Sequence, residues 1–293
     1  MQSGPYDTPR AVADALERAG YLADTGVATA AYLAIAMRRP LFLEGDPGVG
    51  KTALAQALAR IAGSRLVRLQ CYEGIDASQA LYDWDFPRQI LHLRAAADHT
   101  DAAALEASLY DRRFLVARPI LQALEHSPSV LLIDEIDRAD DEFEAFLLEV
   151  LADYAVTIPE LGTIRADTPP LVVLTSNRTR EVHDALKRRC LYHWVSHPDL
   201  PREVEIIRRQ LPASFAALAQ DVASVARRLR SMDLLKPPGV AESIDWAQAL
   251  LAVGATRLDE QSATATLGAA VKYHEDQLRV TRELLPDLDS LLR

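Results

Sequence analysis

The stretch Gly45-Asp46-Pro47-Gly48-Val49-Gly50-Lys51-Thr52 constrains this chain more than any other. It fills every fixed position of the pattern Gly-x-x-x-x-Gly-Lys-Ser/Thr, in which backbone N–H groups cradle phosphate. Its flanks suit that reading: Leu41-Phe42-Leu43 is an apolar run of the kind a buried strand shows, and residues 53–62 are helix formers without a breaker. A strand, a tight loop and a helix in that order aim unpaired N–H groups and the positive end of a helix dipole at one small volume. A polyphosphate suits such a volume. Gly45, Gly48 and Gly50 permit close backbone approach, and Pro47 stiffens the turn. Lys51 is expected to reach the β and γ phosphates and the Thr52 hydroxyl to ligate Mg²⁺, so the segment from Gly45 through Asp46, Val49 and Lys51 to Thr52 is the candidate nucleotide site. The competing reading, a glycine turn that happens to carry a lysine, explains neither the spacing nor the flanks.

Composition narrows the partners. With 49% hydrophobic and 25% charged residues over 293 positions, the chain reads as an ordinary globular protein of one large or two modest domains. A formal net charge of −10 argues against a general binder of nucleic acid or anionic membrane, because counterion release needs a dense basic surface. Cys71 and Cys190 match no metal-ligand spacing and are expected to be reduced core thiols. Residues 1–20 lack an apolar leader core, and no stretch reaches about 18 apolar residues, so a cytoplasmic protein without a membrane span is expected.

Read in order, the chain predicts helices over residues 9–19 and 27–37, then the strand, phosphate loop and helix, and a second strand over 66–71. Residues 82–86 and 89–93 flank Pro87-Arg88 and are expected to form an inserted hairpin, followed by a helix over 102–110. Val130-Leu131-Leu132-Ile133 is a continuous apolar run typical of a buried parallel strand. Phe143, Phe146, Leu147, Val150 and Leu151 lie on one stripe of the next helix. Residues 155–158 and 163–165 read as a second hairpin, 171–175 as a buried strand and 191–195 as a last strand. Beyond Pro198 and Pro201 the pattern becomes helical only, over 202–211, 215–232, 243–253 and 260–284. The expected domains are therefore an α/β core over 1–200 with hairpins near 82–93 and 155–165, and a helical domain over 201–293.

The apolar run ends in Asp134-Glu135, where ligands of open α/β sheets collect. Asp134 fits the aspartate that holds Mg²⁺, and Glu135 the base that activates a water beside a phosphate. The plainer reading, a polar turn Asp-Glu-Ile-Asp with solvated acids, loses ground once the phosphate loop precedes it.

These motifs, with Leu174-Thr175-Ser176-Asn177 and Ala185-Leu186-Lys187-Arg188-Arg189-Cys190, resemble the AAA+ ATPases and within them the MoxR branch. The resemblance implies a P-loop core of parallel sheet flanked by helices, followed by an all-helical lid. It gives Asn177 the sensor role, for which an amide is suited because it can donate to phosphate and accept from water. It makes Arg189 the arginine finger inserted into a neighbouring subunit's site, with Arg188 as the fallback. A turn asparagine and a surface salt-bridge arginine are the bland alternatives. The hairpins would face a ring pore or a client. The segment 237–246, where a lid arginine that senses nucleotide is expected, contains none.

The implied activity is Mg²⁺-dependent ATP hydrolysis by a homo-oligomeric ring, a hexamer by resemblance. Its implied role is chaperone-like remodelling that matures a metalloenzyme such as a molybdenum hydroxylase, with a partner bearing a von Willebrand factor A domain. Two other readings stay open, a nucleic-acid motor or loader on the same fold and a nucleotide-switched scaffold with little turnover.

Overall fold

The computed structural model describes residues 6–96, 105–106 and 108–292. Its chain divides into two compact units. The first takes in the chain up to Glu44 together with Lys51–Trp194, and the second Gly45–Gly50 together with Val195 onward.

The first unit is built on a five-stranded sheet in the order β2-β5-β8-β1-β9, formed by Arg65–Gln70 (β2), Ser129–Asp134 (β5), Leu171–Ser176 (β8), Leu41–Glu44 (β1) and Leu191–Trp194 (β9). Every neighbouring pair is parallel. Parallel strands need crossovers, and helices covering both faces bury the central strands. All six residues of β5 and all four of β1 are buried accordingly. Burying each of their Leu, Ile or Val side chains contributes roughly 1.5–3 kcal/mol. The register sets Gln70 beside Asp134 and Glu44 beside both Ser176 and Trp194, so the carboxyl ends of all five strands share one edge of the sheet.

Two small sheets lie outside this one. Ala155–Ile158 (β6) and Gly162–Arg165 (β7) pair antiparallel, with Ile158 opposite Gly162. The hairpin expected over 82–93 does not form. Tyr82–Trp84 (β3) pairs instead with Leu115–Ala117 (β4), and Phe86–Ala96 is a helix. Asp85, Phe86 and Pro87 are start signals for that helix: the Asp85 carboxylate accepts from Arg88 N at 3.1 Å, and proline is tolerated in a first turn. Of the helix expected over 102–110, residues 102–104 and 107 lie outside the described residues.

The second unit packs the helices Leu200–Arg208, Ala216–Arg230, Val240–Ala252, Glu260–Ala270 and His274–Glu283 around Trp246, which is fully buried with its Nε1 donating to Thr266 Oγ1 at 2.9 Å. The single helix expected over 260–284 is two. The break falls at Val271-Lys272-Tyr273, where Lys272 Nζ turns back to the carbonyls of Gly268 and Ala269 and caps the first helix. Among the described residues no helix is long and apolar enough to cross a membrane.

Candidate active site

The phosphate loop belongs to the second unit for a local reason. Gly48 O accepts from Val240 N at 3.1 Å and from Ala241 N at 3.2 Å, so the loop carbonyl takes up free N–H groups at the start of the helix Val240–Ala252. Gly48 has φ +76, and a Cβ there would stand 2.7 Å from Glu242 Oε2. At Gly45 a Cβ would stand 2.3 Å from Val195 O. A backbone oxygen therefore demands glycine at Gly45, and the positive φ favours it at Gly48. Asp46 is exposed and lies 3.6 Å from His197 Nε2. Burial and the nearby Arg230 guanidinium push the His197 imidazole below its usual pKa, outweighing Asp46, Glu203 and Glu242.

Gly50 runs directly into Lys51, a buried residue that opens the helix Lys51–Ile61. From the next position Thr52 Oγ1 donates to Asp134, lying 3.1 Å from Oδ1 and 3.3 Å from Oδ2. Asp134 is 3% exposed and has two further partners: Thr175 Oγ1 at 2.5 Å on Oδ1 and Arg68 Nη2 at 2.5 Å on Oδ2. A hydroxyl and a carboxylate converging in this way form a hard, all-oxygen donor pair that suits Mg²⁺, which takes one or two carboxylates and leaves much of its shell to phosphate and water.

Glu135 follows with φ 56 and ψ 50, a left-handed conformation that costs a residue with a side chain about 1–2 kcal/mol. Glu135 N donates to Thr175 Oγ1 at 2.9 Å, so one hydroxyl holds both acids. The Glu135 carboxylate accepts from Gln70 Nε2 at 3.0 Å and Arg138 Nη1 at 3.3 Å, and Asn177 Nδ2 lies 3.5 Å from its other oxygen. Asn177 is itself fixed through Asp137, which is 2% exposed and accepts from Asn177 N at 3.2 Å and Thr179 N at 2.8 Å. At the end of β1, Tyr192 Oη donates to Glu44 Oε2 at 2.9 Å; burial, followed by that hydrogen bond, pushes the phenol up to about 12.

Thr52, Asp134, Glu135 and Asn177 thus form one connected cluster. Arg189 is not part of it. Arg188 and Arg189 end the short helix Asp184–Arg189, exposed to solvent, and among the described residues neither guanidinium has a hydrogen-bond or ion-pair partner. The segment that lacks a lid arginine carries Gly239, whose N–H donates to Glu242 Oε2 at 3.0 Å. Arg230 comes near from the preceding helix, but its guanidinium is held by Glu203 at 2.6 and 2.7 Å, by Ser243 Oγ at 3.1 Å and by Pro238 O at 2.7 Å. Arg68, Gln70, Asp137 and Thr175 were not singled out by sequence reasoning. Asp137 and Thr175 had signals, as the second aspartate of Asp-Glu-Ile-Asp and as a member of Leu174-Thr175-Ser176-Asn177; Arg68 and Gln70 acquire their place only through strand pairing. Cys71 and Cys190 are buried, and burial pushes both thiols up to about 12, which disfavours the thiolate.

The family described as AAA domain (dynein-related subfamily) matches residues 40–190, more than half of the chain. Midasin of Giardia intestinalis is 49% identical over 61 residues, covering 20% of this chain and 1% of that protein. Gas vesicle ATPase GvpN1 of Halobacterium salinarum is 26% identical over 201 residues. That match covers 66% of this chain and 56% of the relative, so the chain spans little more than half of one relative and a small fraction of the other. Among solved structures, a point mutant of Thermotoga maritima RuvB superposes with a TM-score of 0.51 at 18% identity, covering 86% of this chain and 68% of that one. At that identity the likeness is one of fold.

Proposed function

Because the chain belongs to the AAA+ ATPases, through the family described as AAA domain (dynein-related subfamily), we propose that it binds ATP with Mg²⁺ and hydrolyses it. The nucleotide phosphates lie along Gly45, Asp46, Pro47, Gly48, Val49 and Gly50, with Lys51 on the β and γ phosphates. Thr52 and Asp134 hold the ion, which neutralises phosphate charge when bound. Glu135 takes the proton of the attacking water, and Asn177 orients that water. The cluster of Thr52, Asp134, Glu135, Thr175 and Asn177 carries this reading, since nothing in a plain polar turn calls for a buried aspartate and a left-handed glutamate on one hydroxyl.

Glu135→Gln is isosteric but cannot accept the proton. It is expected to bind Mg²⁺-ATP with affinity close to that of the parent and to lose turnover by about 10²-fold or more. Equilibrium binding of a fluorescent nucleotide and steady-state phosphate release check both halves. A parent enzyme no faster than Glu135→Gln would favour the scaffold reading instead.

The finer reading is a MoxR-type remodeller. In it the α/β core works with a helical lid in a homo-oligomeric ring, a hexamer by resemblance, and Arg189 of one protomer completes the site of the next. The arginines at 188 and 189, exposed and without a guanidinium partner among the described residues, support action on another chain. A metalloenzyme client and a partner with a von Willebrand factor A domain follow from the motif resemblance. Co-purification with the ATP-trapped Glu135→Gln variant tests them, because the trapped state holds its partner longest.

A further inference from the structure

Arg39 lies outside every nucleotide motif, in the turn between the helix Thr25–Met37 and β1. Arg38 closes that helix in the left-handed conformation, with its N–H on Ala34 O, and Arg39 N bonds to the same carbonyl at 3.2 Å. With its main chain set, Arg39 reaches across 150 positions of sequence to the end of the helix Asp184–Arg189. Nη2 donates to Arg188 O at 2.9 Å and to Cys190 O at 3.4 Å, and Nε donates to Arg189 O at 3.3 Å. Beside it Leu191 N donates to Pro40 O at 2.8 Å.

The last carbonyls of a helix have no partner within it and carry the negative end of its dipole. A guanidinium fork satisfies several of them at once, whereas an ammonium acts as a single point charge. Two of the three carbonyls held belong to Arg188 and Arg189. Lys187, on the same short helix, is paired within the chain to Glu181. The two arginines have fixed backbones, and among the described residues their guanidinium groups have no partner.

We propose that Arg39 is a positioning residue that fixes the end of this helix so that the arginine it carries is presented to the site of a neighbouring protomer. The inference rests on the reading of Arg189 as a finger acting in trans. Arg39 touches no phosphate and no reacting atom; its effect is carried by where the main chain of residues 188–190 stands. A role confined to stabilising this edge of the sheet would instead lower the activity of the protomer that carries the change, whatever its neighbour.

Mixing protomers separates these. Arg39→Ala is expected to keep its nucleotide affinity within about twofold and to lose turnover by about tenfold to a hundredfold in the homo-oligomer, the scale of a misplaced catalytic group. Glu135→Gln protomers have dead sites and intact fingers. Added to Arg39→Ala protomers, they are expected to restore phosphate release, as they should for Arg189→Ala, with sedimentation velocity checking that mixed assemblies form. Should Arg39→Ala not accumulate as folded protein, Arg39→Lys keeps the charge without the fork and carries the same expectations at smaller amplitude. Rescue of Arg189→Ala but not of Arg39→Ala overturns the role of Arg39 and leaves the finger standing. Turnover of Arg39→Ala equal to that of the parent overturns it as well. If Arg189→Ala is not rescued either, the trans-acting finger fails, and the positioning role fails with it.

Discussion

A glutamate at the end of an extended strand would ordinarily continue outward, yet Glu135 turns into the left-handed region immediately after β5. Thr175 makes that turn tenable: its hydroxyl donates to Asp134 and accepts from Glu135 N, so the unfavourable backbone is offset by two hydrogen bonds on one atom. The turn also swings the Glu135 carboxylate toward Gln70 and Asn177, and it separates two adjacent acids into two roles. Arg68 acts on the other acid. Its guanidinium sits on Asp134 Oδ2, although about half of its side chain is exposed. A divalent ion would meet the same carboxylate, and the two cations compete. Because Arg68 is so exposed, that competition is worth no more than about 1 kcal/mol. Arg68→Ala should therefore tighten Mn²⁺ binding in the presence of ADP by about fivefold, read from the free Mn²⁺ signal by electron paramagnetic resonance. Unchanged or weaker metal binding would show that Arg68 helps to build the site.

Elements of the site differ in how much of them a sequence can carry. The phosphate loop and Asp134-Glu135 are contiguous strings that follow apolar runs, so their places at the ends of β1 and β5 were legible from the chain itself. Arg68 and Gln70 were not, and neither was the hold of Thr175 on both acids, because β2 and β8 come beside β5 only through a sheet register that no local pattern encodes. Near residue 85 the same letters supported two structures. Pro87-Arg88 reads as the turn between strands over 82–86 and 89–93, yet Asp85 caps a helix with Pro87 in its first turn, and the strand partner that decides the matter lies at Leu115–Ala117, some thirty positions downstream. The clasp between the phosphate loop and the helix Val240–Ala252 was equally invisible. There a Cβ at Gly239 would stand 2.7 Å from Pro47 O and 2.9 Å from Gly48 Cα, both backbone atoms that cannot step aside without moving the loop. Gly239→Ala should therefore weaken nucleotide binding by about tenfold or more while the helices of its own unit stay folded. Fluorescent-nucleotide titration and far-ultraviolet circular dichroism on one preparation check this. Parent-like affinity would mean that the loop is set by its own glycines alone.

At the scale of the whole molecule, charge weighs against a general binder of nucleic acid. The chain carries 32 Lys and Arg against 42 Asp and Glu. Several of those cations are committed internally: Arg68 to Asp134, Arg112 to Glu125, Arg180 to Glu144, Arg230 to Glu203 and Arg257 to Asp221. Each committed guanidinium is one fewer to displace counterions from a phosphate backbone, and non-specific binding is dominated by that displacement. Arg188 and Arg189 remain open, but two adjacent arginines make a contact, not a track. Saturating duplex or single-stranded DNA is therefore expected to change ATP turnover by less than about twofold. Fluorescence anisotropy at physiological salt should show no binding up to roughly 10 µM protein, inside the range of about 10⁻⁴–10⁻⁶ M where non-specific DNA binders associate. A several-fold stimulation that fades steeply as salt is raised would favour the nucleic-acid motor instead. It would point to a local basic surface that the overall excess of acidic residues conceals.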